Sequence, residues 1–84
     1  MGAYTDLVSD AIIKFVRENA FDDAVSTRDL ARRYNPEMTP QGMGQVLKYQ
    51  QKEINAVLKK ARVRVTGYVF NPRRKRHMVQ ISRL

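Results

Sequence analysis

The chain contains no cysteine. Disulfides and thiolate metal sites are excluded, and the core has to hold without a covalent or metallic staple. No apolar run approaches the roughly 18 residues that a membrane span requires, so a membrane partner is not expected. The opening, Met1-Gly2-Ala3-Tyr4-Thr5-Asp6, has neither a basic leader nor an apolar segment, and an intracellular location, cytoplasmic or nucleoid-associated, is the expectation. Met1-Gly2 begins like an acylation motif, but that motif wants Ser or Thr at position 6 and finds Asp6. Histidine occurs once, as His77, there is no Walker loop or metal-ligand spacing, and the adjacent Asp22 and Asp23 cannot both face one site. An enzyme is not expected, nor is a cofactor or a bound metal.

Acids are scarce in one half of the chain only. Residues 1–47 carry five bases and seven acids, whereas residues 48–84 carry eleven bases and a single acid, Glu53. The total is +8, with an isoelectric point near 10.3. Segregation of this kind assigns different jobs to the two halves and makes a polyanion the expected partner. With 84 residues, 43% of them hydrophobic and 29% charged, the chain has enough apolar side chain for one domain over residues 1–84 and is not a disordered polyelectrolyte.

Tyr4, Leu7, Val8, Ala11, Ile12, Phe15 and Val16 fall on one arc at helical spacing, predicting a first helix over about 5–19 with Thr5 as its N-cap. Ser26-Thr27-Arg28-Asp29 sets a hydroxyl three residues before a carboxylate, the capping-box spacing, and opens a second helix over 26–34. Asn35-Pro36 ends it, because the residue before a proline is pushed out of the helical region. Thr39-Pro40 starts a third helix, with Pro40 at the first position, where a missing N–H costs nothing. Met43, Val46, Leu47, Ile54, Val57, Leu58 and Ala61 keep one face apolar, so this helix is expected over 39–61, with Gln50 the one polar residue on that face. A break near residues 52–55 would leave the pattern almost unchanged.

The period then changes to two. Val63, Val65 and Val69 alternate with Arg62, Arg64 and Tyr68, and Val79 and Ile81 alternate with Gln80 and Ser82, predicting strands over about 62–70 and 77–83. Between them Asn71-Pro72 signals a turn, and Arg73, Arg74, Lys75 and Arg76 are too repulsive for strand interior, so they form the tip of a hairpin.

Helix, short helix, turn, long helix and a hairpin with a basic tip, with Ser26 to Tyr34 in the place of a positioning helix, resembles the winged helix-turn-helix family of DNA-binding domains. The resemblance covers about residues 5–84 and implies an α+β fold of three helices and a C-terminal two-stranded wing. In that family the third helix lies in the major groove with its N-terminal half against the base edges. The exposed face here is Gln41, Gln45, Lys48, Lys52, Asn55 and Lys59, without an acid. Gln and Asn make paired bonds to adenine and Lys bonds guanine or phosphate, so Gln41, Gln45, Lys48, Lys52 and Asn55 are the candidate base readers. A merely solvated face is the competing reading, but such faces usually mix Glu with Lys.

Backbone or minor-groove contacts are assigned to Thr39, Gly42, Tyr49, Lys59, Arg62, Arg64 and the tip Arg73, Arg74, Lys75 and Arg76. At the tip a phosphate chain would relieve self-repulsion. Gly42 and Gly44 each cost about 1 kcal/mol relative to Ala in a helix, which calls for a close approach. That approach is either a phosphate on the helix N-terminus near Thr39, Gln41 and Gly42 or tight packing against the second helix at Gly44. Tyr49, Tyr68 and Phe70 offer rings that could stack on single-stranded bases, although core or flank packing is the commoner use. The expected function is a sequence-preferring double-stranded DNA-binding protein, a small transcriptional regulator. The alternatives are an RNA-binding or ribosome-associated module recognising structured RNA, and an interaction module in which the long third helix packs as a homodimer.

Overall fold

The computed structural model describes residues 2–84; Met1, with which the discarded acylation motif begins, lies outside the described residues. Among these the chain is α+β, with four α-helices and a three-stranded antiparallel sheet. In chain order they are α1 (Ala3–Glu18), β1 (Ala24–Ser26), α2 (Thr27–Tyr34), α3 (Pro40–Tyr49), α4 (Gln51–Leu58), β2 (Val63–Asn71) and β3 (Arg76–Arg83). A 3-10 turn, Lys59–Ala61, joins α4 to β2. The strands lie in the order β1-β3-β2, so the last strand of the chain is the central one.

Two of the expected caps form as the local chemistry dictates. Ser26 Oγ accepts the N–H of Asp29 at 3.0 Å, and Thr39 Oγ1 accepts the N–H of Gly42 at 3.0 Å with Pro40 at the first helical position. Thr5 does not cap. The first helix begins earlier, after Gly2, and Thr5 lies inside it, 1% exposed, with its hydroxyl donating to Gln50 Oε1. A buried hydroxyl needs a partner, and the partner at hand is in a distant element, which is why local cap logic misplaced this residue.

The third helix is not one rod. Gln50, at φ −126° and ψ 29°, leaves the helical region and separates α3 from α4. A straight helix over 40–61 would be about 33 Å long, equal to the longest dimension of the molecule, 33 × 27 × 20 Å. The bend instead keeps Met43 and Leu47 of α3 and Ile54 and Leu58 of α4 in one core, all of them fully buried. The apolar stripe survives the break unchanged in phase, so sequence periodicity did not locate it. The length that suggested a packed dimer is divided between two short helices.

Val25 of the unexpected β1 pairs with Val79, and the register of β1 runs Ala24↔Gln80 to Ser26↔Met78. In the hairpin Val65 pairs with Ile81 but Gly67 with Gln80, leaving Thr66 as an extra residue. Such a bulge inverts the alternation that follows it. Tyr68 consequently packs against the core where Val69 was expected, and Val69 is 47% exposed. The core joins Ile12 of α1, Leu30 of α2, the four residues above, and Val65 and Val79 of the sheet, each burial of this kind being worth about 1.5–3 kcal/mol. No helix of the described residues is long and apolar enough to cross a membrane.

Candidate functional site

The helix face of the hairpin rests on α3 through a single close approach. A Cβ on Gly44 would lie 2.2 Å from Tyr68 Oη and 3.1 Å from its Cζ, so only a residue without a side chain admits the phenol here. The compensation that Gly44 required is therefore packing, but against β2 and not against the second helix. Burial pushes the Tyr68 phenol above its ordinary value of 10.0, and the polar side chain of Thr27 beside it partly offsets this. The ring in turn stacks on His77 at 5.4 Å and 16° between planes, and Phe70 meets His77 edge-on at 5.0 Å and 61°.

This contact leaves a groove of about 600 Å³ between α3 and the hairpin, with Gln41, Gln45 and Lys48 along one wall and Tyr68, Phe70 and His77 along the other. Residues 41, 45 and 48 recur at four and three positions, so they share one helical face. A second depression of about 480 Å³ continues from it, sharing Thr27, Pro40, Gln41 and His77. Its rim carries Arg28 and Arg32 from α2 and Arg74, Lys75 and Arg76 from the tip, with no acid among its lining residues. The tip is held in shape by Asn71, whose Oδ1 accepts the N–H groups of Arg73 and Arg74 at 3.0 and 3.2 Å, and by Lys75 in the left-handed region at φ 53°. An Asx turn of this kind fixes where the cations project. Five cations around a concave, acid-free surface attract an anion, and the amides of Gln41 and Gln45 supply directional hydrogen bonds beside them.

The remaining candidates separate from this surface. Asn55 is occupied: its Nδ2 donates to the Val65 carbonyl at 3.1 Å and its Oδ1 accepts the Val65 N–H at 2.8 Å, so it satisfies the outer edge of β2 and cannot read a base. Lys52 stands on α4, beyond the bend, and lines neither depression. Lys59, Arg62 and Arg64 lie where β2 begins, next to the pair Val63↔Arg83, whereas the tip follows the pair Asn71↔Arg76 at the other end of the hairpin. Seven residue steps along the strand, roughly 23 Å, separate Arg64 from Asn71, so the basic residues of the C-terminal half fall in two parts. Thr39 and Gly42 bond each other in the cap and, with Tyr49, line a different hollow beside Tyr4. The Lys48 ammonium lies 5.4 Å from the Tyr49 ring centroid.

Sequence reasoning missed Arg28, Arg32 and His77 as members of the site. The first two are at i and i+4 directly after a helix cap, a signal that was present but unattached to any surface. His77 enters only because β3 pairs it with Phe70. Among the described residues no cluster of three His, Asp or Glu side chains could hold a metal ion. Comparison with known proteins returns no matching family model, no similar curated protein and no similar solved structure.

Proposed function

We propose that the protein is a winged-helix domain that binds double-stranded DNA with a preference for sequence and acts as a small transcriptional regulator. The observation that carries the reading is the acid-free concave surface on which the polar face of α3 stands beside the basic hairpin tip. Support also comes from the order α1-β1-α2-α3-α4 followed by a β2-β3 hairpin, with β3 between β1 and β2, which is compatible with the resemblance noted in the sequence once α3 and α4 are taken as its third helix divided in two. In this reading α3 enters the major groove, Gln41 and Gln45 bond base edges and Lys48 bonds guanine or phosphate. Arg28, Arg32 and the tip neutralise phosphates, with the hairpin following the backbone or entering the minor groove.

The test is selection from random duplex DNA and from structured RNA in parallel at physiological salt. Enrichment of a common duplex motif is the expected result. Enrichment of RNA alone would replace this reading with the RNA-binding, ribosome-associated one, since the same basic hairpin also suits structured RNA.

A further inference from the structure

We infer that Tyr68, His77 and Phe70 form a stacking platform for an unpaired base, and that the domain prefers duplex DNA carrying a bulged base to the same duplex fully paired. The inference rests on the DNA-binding reading and narrows its substrate. Tyr68 is anchored on Gly44, it stacks on His77, and His77 meets Phe70, so the outermost ring is reached through a chain of fixed contacts and is ordered before any ligand arrives. Preorganisation of this kind reduces the entropy lost on binding.

Phe70 is nevertheless 52% exposed. An isolated exposed apolar ring is ordinary, but this one stands in the wall of a groove that is otherwise polar and free of acids. It borders the groove beside α3, with Lys48, which continues into the acid-free depression rimmed by Arg28, Arg32, Arg74, Lys75 and Arg76. A nucleotide whose base lay on Phe70 would have Lys48 and the cations of that adjoining depression near its flanking phosphates. A paired duplex presents base edges in its grooves and keeps the base faces inside the stack. An unpaired base offers its face to the ring without the cost of unstacking and kinking a paired duplex, and base–aromatic stacking is the interaction that rewards it.

The experiment compares the whole chain on three ligands of equal length: a paired duplex, the same duplex with one bulged purine, and an RNA hairpin with a bulge at the matching place. A stacking contact of the usual strength predicts binding to the bulged DNA between about fivefold and a hundredfold tighter than to the paired duplex. A fluorescent purine analogue at the bulge should be quenched on binding. F70A should abolish both the quenching and the preference, bringing the bulged and paired duplexes to equal affinity, and F70W should retain them. Circular dichroism of F70A checks that the exposed position has been changed without loss of fold. Equal affinity for bulged and paired DNA overturns the inference, as does a preference that survives F70A. Tighter binding to the bulged RNA than to the bulged DNA overturns the choice of DNA. Absence of binding to all three ligands overturns the underlying DNA reading and this inference with it.

Discussion

Replacing Gly44 with Ala probes the contact that positions the hairpin against α3. In an exposed helix interior this change is stabilising by about 1 kcal/mol, because Ala restricts the unfolded chain and suits the helix. Here the added methyl would lie 2.2 Å from Tyr68 Oη and 3.1 Å from Cζ. The Tyr ring is rigid and its far side is stacked on His77, so relief requires the ring to tilt out of that stack or α3 to shift, at a cost of about 1–3 kcal/mol for overpacking. The expected net effect of G44A is a loss of up to about 2 kcal/mol. Removing the hydroxyl deletes the nearest clashing atom, so the same substitution in a Y68F background should be neutral or stabilising. Y68F alone should cost at most about 1 kcal/mol, because it removes the polar contact of the phenol with Thr27. The two changes should therefore couple by about 1–3 kcal/mol in a double-mutant cycle of urea denaturation midpoints at constant m. Additive effects, or a wild-type background stabilised by the full helix-propensity gain, would refute the claim that Gly44 seats the hairpin.

N55A should destabilise by about 2–3 kcal/mol, measured by thermal or urea unfolding, because it removes two hydrogen bonds from Val65; competition with random DNA should find the sequence preference of the folded fraction unaltered. Serine at Arg73, Arg74, Lys75 and Arg76 together should weaken binding to every duplex by similar factors and flatten the log-log salt slope from about −4 to −6 by roughly 2 to 4, as phosphate contacts are lost. Q45A or K48A should instead cost about 1–3 kcal/mol on the preferred site and little on scrambled DNA; matched titrations in which preference survives both changes would remove α3 as the reading element. Because the phenol of Tyr68 is raised above 10.0 in the fold, the stability linked to its neutral form is fully present below that pH and is lost as pH climbs through the raised value. Ultraviolet tyrosinate titration of wild type against Y68F should assign that loss to this ring.

The starts of α2 and α3 and the hairpin turn were legible because their chemistry is local: Ser26 with Asp29, Thr39 with Gly42, and Asn71 with the residues that follow it all satisfy backbone groups within three positions. The charge division was legible for the same reason, since cations at a loop tip cannot be buried. Gln41, Gln45 and Lys48 could be assigned to one face from spacing alone, whereas Asn55, at equally good spacing, could not be recognised as a strand clasp. Its partner, Val65, is ten residues away in another element.

What remained out of reach depends on groups that meet only after folding. β1 is three residues long and exists because β3, more than fifty residues later, pairs with it. The bend at Gln50 preserves the apolar phase, so it follows from the dimensions of the core and from Thr5 and not from any helix-breaking residue. The bulge at Thr66 is a property of register between two strands, and it alone decides that Tyr68 and not Val69 turns toward α3. A one-residue phase slip leaves composition and propensity untouched while exchanging the two faces of a strand. The site depends on that exchange, for it brings Tyr68 to Gly44 and sets His77 and Phe70 beside the polar face of α3.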